Sequence, residues 1–488
     1  MKLHIVVDER NDTRYKRPTL SSKVRNVLFT ASVFAGTCLF LISKFGHPES
    51  YSSFSHPQTI AEFQKCSIKT FLDTGLPFLS SASPLPISEF VSRRNSLAKA
   101  LLQDGIDAFI VEPGYTFKYY ANISQPDWEV WEPEERPFLM IVQPITSGTR
   151  EITARTRFLA PSFEVERARL LGMPFEEEVE FIPWEEHWNP YATLLQNWDT
   201  SSPSHAHTIS NPKVMVDDEI RDFIPRGLSL SGFNVAGLGS EVEKVKQTKT
   251  PGEVELLRAV NTGTVEAVRA MRKCMYPSLT ENEVTNVLDD TLRAAGLEPF
   301  FDIVLFDEDA SNPHGGTDGS KVLEAETFVL IDVGAHLHGY SSDICRTFFP
   351  PFFPKPSSLS CLSPAIKEKL AVWDIVFEAQ KQSLHALKSG NTAASVDIAA
   401  RGVIEKAGYA DAFTHRVGHG IGIKAHESPY LNKGNVNVTL RAGMTFTSEP
   451  GVYLVGKFGA RHEDILLVKE EGEPEILTGR RATGPWDP

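Results

Sequence analysis

The chain carries two hydrophobic patterns, one before residue 45 and another from about residue 87 onward. No residue from 26 to 43 is charged, and residues 27–42 are mainly apolar or small. This run is long enough to cross a thin bilayer as a helix, and its apolar residues surround the whole circumference. The pattern predicts a single transmembrane helix over residues 26–44, preceded by a tail of residues 1–25.

The flanking charges predict how this helix is oriented. Seven Lys and Arg residues precede it against three acids, whereas the segment after it is nearly neutral. By the positive-inside rule the tail stays cytoplasmic and the bulk of the chain becomes luminal or extracellular. A cleaved signal peptide is the alternative, although its basic segment is normally shorter and small residues normally follow it.

Two further features bear on the compartment. Glycosylation sequons begin at Asn122 and Asn437, which a luminal location would permit. The cysteines outside the apolar run either pair in a lumen or remain free, and these are Cys66, Cys274, Cys345 and Cys361.

Beyond the apolar run, the pattern predicts a linker and an α/β domain. Residues 45–84 are rich in Ser and Pro, which predicts a linker. Helical spacing begins near Ile87, and the apolar runs at residues 108–111, 138–142 and 214–216 predict strands. These elements predict an α/β domain over residues 85–245.

The rest of the chain predicts a second domain. Capping boxes that begin at Thr250 and Thr280 predict the starts of two helices. Short apolar runs with glycine turns, at residues 328–349 and 444–468, predict antiparallel strands. Residues 246–488 are therefore predicted to be α+β.

Charge excludes one class of function. The chain of 488 residues has a formal net charge of −14, and no group of Lys and Arg lies on a candidate reading helix. Such a surface would repel phosphate backbones, so no nucleic-acid partner is expected.

Polar residues interrupt the predicted strands of the second domain and suggest a metal site. The acids and the histidine concerned are Asp332, Asp343, His419, Glu449 and Glu463. An acid at the end of a buried strand must be paired, protonated or bound to metal. Two divalent cations would balance four carboxylates, and oxygen ligation with one nitrogen favours Mn²⁺ while also accepting Co²⁺, Fe²⁺ or Zn²⁺.

The segments that hold these residues resemble a known family. In chain order they read IDVGA, GYSSDICRTF, HRVGHGIGIKAHESPY, TSEPGVY and ARHEDILLV. Over about residues 250–475 they are similar to the creatinase, prolidase, aminopeptidase P and methionine aminopeptidase family. The segments RRNSLAKALLQDGIDAFIV and YYANIS resemble the creatinase-type N-terminal domain more loosely. The resemblance implies a creatinase-type domain over residues 85–245 and a pita-bread catalytic domain over residues 246–488.

The resemblance also implies a role for each site residue. The implied metal ligands are Asp332, Asp343, His419, Glu449 and Glu463, with Asp343 and Glu463 bridging two ions. The implied catalytic residues are His314, His426 and Glu449, and the implied substrate-binding residues are His314, His426 and Arg461. A hydroxide that bridges the metals would attack the scissile carbonyl, and Glu449 would move the proton towards the leaving nitrogen. Arg461 would pair with a carboxylate or peptide oxygen on the proline side.

The predicted function is hydrolysis of the Xaa-Pro bond of dipeptides or peptide N-termini, as a Xaa-Pro dipeptidase or Xaa-Pro aminopeptidase. The expected substrate is a small peptide with proline at its second position. One alternative is that the same scaffold acts on a non-peptide small molecule. Another is a metal-free, membrane-tethered binding protein, against which the five retained ligand types speak. A homodimer, in which the region of Trp128 and Trp131 caps a neighbouring active site, is left open.

The remaining polar residues near the motifs are expected to have lesser roles. His336, His338, His415 and His462 are predicted to be structural or solvent-facing. Asp464 is predicted to support the site from the opposite strand face or to lie at the surface. Asp302, Asp307 and Asp309 are predicted to be loop acids.

Overall fold

The computed structural model describes residues 57–129, 132–146, 151–199 and 211–488. The predicted tail, the predicted transmembrane helix and Trp131 lie outside these ranges and stay predictions. Across the ranges that are described, no helix combines the length and the apolar character needed to span a membrane.

A helix, α1 (Ile60–Leu72), lies within the segment that the sequence predicts as a linker. Phe63 and Phe71, about two turns apart on one face, are fully buried. The linker prediction for residues 45–84 is therefore wrong at residues 60–72. The helical spacing of these two aromatic residues is easily overlooked among the polar residues around them.

A disulfide joins α1 to the second domain. It pairs Cys66 with Cys274, whose Cα atoms are 5.9 Å apart. Cys345 and Cys361 are free, the first buried and the second exposed. Of the alternatives left open for the cysteines, one pair forms and the other two residues stay unpaired.

The first domain is built around a mixed sheet. Its strands are β1 (Ala108–Val111), β2 (Leu139–Thr146), β3 (Ile152–Pro161), β4 (Glu180–Trp184), β5 (Lys213–Val216) and β6 (Asn234–Ala236). In the described residues they form one six-stranded sheet in the order β4-β3-β2-β1-β5-β6. All of β1 is buried, as expected for a central strand covered on both faces. The helices are α2 (Ile87–Gln103), α3 (Tyr115–Ala121), α4 (Gln125–Trp128), α5 (Val165–Leu170), α6 (Pro190–Gln196), α7 (Phe223–Leu230) and α8 (Ser240–Gln247).

Trp128 has a packing role in this domain. Its ring stacks on Phe138 at 4.0 Å, and the guanidinium of Arg167 lies 3.9 Å from the ring centre. The homodimer stays a prediction.

The second domain begins with the predicted helices. They are followed by two more, and the four are α9 (Pro251–Arg272), α10 (Glu281–Ala294), α11 (Pro364–Ala386) and α12 (Ala393–Lys406). The capping boxes at Thr250 and Thr280 are confirmed, since each threonine accepts from the backbone of a glutamate that bonds back to it. Helix α1 packs against α9 and α10.

The strands of this domain form antiparallel sheets. They are β7 (Glu298–Phe306), β8 (Val329–Leu337), β9 (Tyr340–Ser341), β10 (Ile344–Phe348), β11 (Gly418–Gly420), β12 (Glu427–Leu431), β13 (Thr445–Ser448), β14 (Gly451–Leu454), β15 (Phe458–Arg461), β16 (Asp464–Leu467) and β17 (Glu475–Ile476). Among the described strands, one sheet has the order β10-β8-β7, with β9 also pairing with β8. A second has the order β12-β11-β13-β16-β17, and β14 pairs with β15. Asp302 lies in β7, so its prediction as a loop acid is wrong, whereas Asp307 and Asp309 lie in a short 3₁₀ turn.

Strand β8 shows how the core positions the site. Val329, Ile331 and Val333 pack into the core formed with α1, α9 and α10. Because side chains alternate along a strand, Leu330 and Asp332 point to the other face. Leu330 packs there with Cys345 of β10, and the carboxylate of Asp332 lies within 4.8 Å of those of Asp343 and Glu463.

Candidate metal centre

The five residues predicted as metal ligands lie together, although they come from separate elements. Asp332 lies in β8, Asp343 between β9 and β10, and His419 in β11. Glu449 follows β13, and Glu463 directly precedes β16. Among the described residues, ligand atoms within 4.8 Å of one another form three overlapping groups, which are Asp332 with Asp343 and Glu463, His419 with Glu449 and Glu463, and Asp343 with His419 and His426. Asp343 and Glu463, the residues predicted to bridge two ions, each belong to two groups, as does His419.

Backbone contacts fix these side chains in place. The amide of Glu463 donates to the carbonyl of Cys345 at 3.1 Å, and the amide of His419 donates to the hydroxyl of Thr447 at 3.0 Å. Gly418 has no room for a side chain, because a Cβ there would lie 2.2 Å from the Thr447 carbonyl oxygen. The glycine before His419 therefore allows β11 to approach β13.

The hydrogen bonds of His419 indicate that a cation belongs beside it. Its Nδ1 lies 3.0 Å from the carbonyl oxygen of Gly420, so this nitrogen carries a proton and donates it. Its Nε2 lies 3.2 Å from Glu449 Oε1 and 3.6 Å from Asp343 Oδ2. A lone pair facing two carboxylates is repulsive, so either a proton or a metal ion has to lie between them.

Glu463 gives the strongest sign of a missing positive charge. It is 1% exposed, and neither of its carboxylate oxygens has a hydrogen-bond partner among the residues that the structure describes. Burial raises the pKa of Glu463 well above its ordinary value, and Asp343, Glu449 and Asp332 raise it further. Burial and the neighbouring carboxylates likewise raise the pKa of Asp343. A buried carboxylate without a partner is costly, and a divalent cation would remove that cost.

Glu449 differs from the other acids of the centre. Burial raises its pKa, but the hydrogen bond and the charge of His419 outweigh this effect and bring the pKa to about 2. The hydroxyl of Thr447 also donates to its carboxylate at 3.2 Å. Glu449 is therefore the acid of the centre that ionises most readily.

Arg461 contacts Asp332, one of the predicted metal-binding residues. Its Nη2 donates to Asp332 Oδ2 at 2.5 Å and to the carbonyl of Pro313 at 3.1 Å. Its Nη1 donates to the hydroxyl of Tyr453 at 2.7 Å, and the residue is 1% exposed. These are the contacts of a residue that positions Asp332. The substrate-binding role predicted for Arg461 stays a prediction.

Two further residues extend this network: Tyr453, for which the sequence predicted no role, and His415, which was predicted to be structural or solvent-facing. The Tyr453 hydroxyl lies 2.7 Å from Nε2 of His415, whose Nδ1 lies 2.7 Å from the carbonyl oxygen of Arg416. Nδ1 therefore donates to that carbonyl, and Nε2 accepts from the tyrosine. The position of Tyr453 within the TSEPGVY motif was the available signal for it. His415 had the same kind of signal, since it is the first residue of the motif HRVGHGIGIKAHESPY.

The two substrate-side histidines lie at the edge of the centre. The ring of His426 lies 4.2 Å from that of His419 and perpendicular to it. Burial, with the nearby His419 and Arg416, lowers the pKa of His426 to about 4, so this imidazole is neutral near pH 7. His314 is exposed and follows Pro313, whose carbonyl is held by Arg461.

Residues flanking the ligands are buried and structural. Asp464 is 1% exposed and accepts from Arg346 at 2.6 Å, from Thr478 at 2.6 Å and from Gln380 at 3.0 Å, so the surface position considered for it is wrong. Arg346 also donates to the carbonyl of Glu463, so the supporting role predicted for Asp464 agrees with its contacts.

The other histidines differ in their surroundings. His462 is buried, with its ring 4.4 Å from that of Trp373, and His336 stacks on Phe300 at 4.1 Å. Both are structural, as predicted. His338 lies in a turn with a positive φ of 49°.

Comparison with known proteins identifies the family. Residues 255–470 match the family model described as metallopeptidase family M24. An uncharacterised peptidase of Schizosaccharomyces pombe is 35% identical over 469 residues, which are 94% of this chain and 96% of the relative. The chain belongs to the M24 metallopeptidase family. An uncharacterised peptidase of Staphylococcus aureus is 30% identical over 352 residues, covering 71% of this chain and 89% of the relative.

Solved structures agree with the M24 assignment. The dipeptidase PepE of Mycobacterium ulcerans has a TM-score of 0.68 at 26% identity, covering 82% of this chain and 98% of its own. The Xaa-Pro dipeptidase of Bacillus anthracis has a TM-score of 0.63 at 25% identity, covering 80% of this chain and 98% of its own. The resemblance to the creatinase and prolidase family is confirmed, and with it the pita-bread fold of the second domain.

Proposed function

We propose that this M24 peptidase hydrolyses the Xaa-Pro bond of dipeptides or peptide N-termini with two divalent metal ions, of which Mn²⁺ is the first candidate. The observation that carries the proposal is the convergence of Asp332, Asp343, His419, Glu449 and Glu463, with Glu463 buried and unpaired within the described structure. The similarity to a Xaa-Pro dipeptidase supports the choice of bond.

The donor set fits two hard or borderline divalent cations. Four carboxylates supply oxygen atoms, and Nε2 of His419 supplies a nitrogen whose other ring nitrogen is already bonded. Asp343 and Glu463 would contribute to holding both ions, because each belongs to two of the three groups of ligand atoms. When bound, the cations lower the pKa of water and polarise a carbonyl as Lewis acids.

The chain's own residues account for the remaining steps. Glu449 is assigned the transfer of the proton from the attacking water to the leaving nitrogen, because its carboxylate lies at the centre, 3.2 Å from Nε2 of His419. His426 is neutral and therefore offers a hydrogen bond to the carbonyl oxygen without adding charge. His314 is assigned the same function, and Arg461 keeps Asp332 in place.

The decisive experiment uses the full-length chain in detergent, depleted of metal and then titrated with Mn²⁺. Cleavage of Ala-Pro that depends on Mn²⁺ and is absent in Asp343→Asn is the expected result. Ala-Ala serves as the control for the proline requirement. Binding of two Mn²⁺ without cleavage of any Xaa-Pro peptide would favour a non-peptide substrate, and no metal binding would reject both enzyme functions.

We also propose that the chain is anchored by residues 26–44 with its catalytic domain luminal or extracellular. The Cys66–Cys274 disulfide supports this, because such bonds persist in oxidising compartments. Asn122 and Asn437 are exposed and so leave room for glycans. Protease protection of the catalytic domain in sealed microsomes is expected. Digestion without detergent would contradict the proposed orientation.

A further inference from the structure

Residues 306–317, called here the His314 segment, begin at the end of β7 and carry a histidine towards the metal centre. His314 is close enough for its charge to act on the carboxyl of Asp332. Its side chain is exposed, so packing does not fix its position. Gly315 and Gly316 turn the chain directly after it, with positive φ angles of 69° and 105°. The position of His314 therefore depends on what holds the backbone of the segment.

Strand β15 provides one anchor for the His314 segment. A Cβ on Gly459 would lie 1.8 Å from the carbonyl oxygen of Ala310, so only glycine lets this strand approach the segment so closely. Arg461, at the end of the same strand, donates to the carbonyl of Pro313 at 3.1 Å. The residue directly before His314 is therefore fixed from β15.

Glu281, the first residue of α10, provides a second anchor. Its side chain is 1% exposed although it stands at the end of a helix. One carboxylate oxygen accepts from the amide of Phe306 at 2.6 Å, and the hydroxyl of Thr317 donates to the other at 3.4 Å. Glu281 therefore contacts both ends of the His314 segment.

Glu281 also forms a carboxyl pair with Asp309, in the middle of the segment. The two side chains are hydrogen-bonded to each other, which requires a proton between them because ionised carboxylates only accept. Burial raises the pKa of Glu281 to about 7, and Asp309 contributes to the rise, against the hydrogen bond from Phe306. Below about pH 7 the pair therefore holds one proton, and loss of that proton leaves two negative charges that repel each other.

The charged side chains around Glu281, other than Asp309, have partners of their own. Lys321 lies close enough to favour the ionised form of the glutamate, but its ammonium pairs with Glu308. The remaining neighbours are acids with a donor each, and these are Asp307 with Lys369, Asp318 with Ser320 and Glu283 with the amide of Thr280. Asp309 is therefore the acid whose negative charge opposes ionisation of Glu281.

We propose that Glu281 is a positioning residue for peptide hydrolysis, because it holds both ends and the middle of the segment that carries His314. This inference rests on the proposed function, in which His314 offers a hydrogen bond to the carbonyl oxygen of the substrate. Glu281 does not touch the substrate and acts through the backbone of the His314 segment. Its hold depends on the proton shared with Asp309 and weakens when both carboxyl groups are ionised.

The first test is a double-mutant cycle in the Mn²⁺-loaded full chain, with Ala-Pro as the substrate. Glu281→Ala should lower kcat on the order of 100-fold, as expected when a catalytic group is displaced, with metal content unchanged. In the His314→Ala background the same substitution should lower kcat by less than about 3-fold, because no histidine remains to be displaced. Equal losses in the two backgrounds would show that Glu281 supports only the fold and would overturn the inference.

The second test does not depend on whether Glu281→Ala folds. Glu281→Gln keeps an oxygen that accepts from Phe306 and gains an amide that donates to Asp309 without a dissociable proton. In wild type kcat should fall above about pH 7, by up to about tenfold per pH unit, and in Glu281→Gln this fall should be absent. Glu298→Gln, which changes an exposed acid of β7, is the matched control and should keep the wild-type profile. No fall in wild type, or the same fall in Glu281→Gln, would overturn the inference.

Amide hydrogen exchange gives a readout that does not depend on activity. At pH 8, about one unit above the pKa of Glu281, residues 306–317 should exchange about tenfold faster in wild type than in Glu281→Gln. Equal exchange would overturn the inference while the proposed function stands. If metal-loaded wild type cleaves no Xaa-Pro peptide, the proposed function fails, and the inference fails with it.

Discussion

Glu463 and Asp464 are neighbours in the chain and are equally buried, yet their surroundings are opposite. Asp464 accepts hydrogen bonds from Arg346, Thr478 and Gln380, whereas neither oxygen of Glu463 has a partner within the described structure. Arg346 and the other partners hold the pKa of Asp464 below its ordinary value although burial opposes them, while burial and nearby acids raise the pKa of Glu463. The two carboxylates are therefore equally buried but serve different functions.

This difference distinguishes Asp464, whose contacts stabilise the fold, from Glu463, whose surroundings suit a bound ligand. Around Asp464 the protein supplies every charge needed to compensate the buried carboxylate. Around Glu463 it brings four carboxylates together with one contacting arginine, Arg461. Such an arrangement destabilises the metal-free fold, which is the usual sign that a site is built for something that binds there.

The largest expected contrast is in catalysis. Glu463→Gln should remove a ligand shared by two groups of the centre and lower kcat/KM for Ala-Pro by at least about 1,000-fold. Asp464→Asn should lower it by about 10- to 100-fold, because it acts only through residues that orient the centre. The measurements are steady-state kinetics and metal content of each variant. Equal losses would remove the distinction between the two carboxylates.

The next contrast is in the free energy of unfolding, which substitution of Asp464 should lower and substitution of Glu463 should raise. Asp464→Ala leaves Arg346 buried without its carboxylate and should cost about 3–5 kcal/mol of unfolding free energy. Glu463→Gln should instead stabilise the metal-free protein, since it removes a buried carboxyl group whose ionisation the fold has to suppress. Denaturant unfolding in EDTA measures both. The double variant Arg346→Met/Asp464→Leu is the matched control and should recover part of the loss.

The sequence predicts the ligands better than it predicts their surroundings. Asp332, His419 and Glu463 could be found because polar residues at strand ends and ordered motifs are local features. The partners of Asp464 could not be predicted. Arg346 is 118 residues away, and its contact with Asp464 depends on how the sheet that contains β10 packs against the sheet that contains β16. Arg461 shows the same limit, since its position in the motif gave no sign that it bonds to Asp332, 129 residues away.

The fold shows a similar division. The capping boxes at Thr250 and Thr280 and the strand β1 were predictable from short-range patterns. Helix α1 was not, because Phe63 and Phe71 are buried only through contact with helices about 200 residues further along the chain.

The pH dependence of stability should also distinguish the two forms of the centre. In the metal-free protein the folded pKa of Glu463 and of Asp343 is raised, so above the unfolded value near 4.5 for Glu463 the folded state holds protons that the unfolded chain has released. Stability from these groups is present at low pH and falls as pH rises, by about 1.4 kcal/mol per pH unit for each proton involved.

Metal binding should reverse this trend, because the ligands must be deprotonated to bind. Melting temperatures of EDTA-treated and Mn²⁺-loaded protein between about pH 5 and 8 should therefore diverge as pH rises. In the metal-free protein, Glu463→Gln should make the melting temperature depend less on pH. The dependence that remains includes the contribution of Glu281, whose pKa burial raises to about 7. If the metal-free wild type gained stability relative to Glu463→Gln as the pH rose, the raised pKa of Glu463 would be contradicted.

The smallest expected effect concerns His462, which directly precedes Glu463 but points into an aromatic environment. Its ring meets Trp373 edge-on at 4.4 Å and Phe377 at 5.8 Å, and burial lowers its pKa to about 3, so it is neutral at physiological pH. His462→Phe keeps an aromatic ring of similar size and removes polar atoms from this environment. Its unfolding free energy should change by less than about 1.5 kcal/mol, with kcat/KM and metal content unchanged. A large loss of activity with normal stability would place His462 with Glu463 in the catalytic centre instead of with Asp464 in the supporting core.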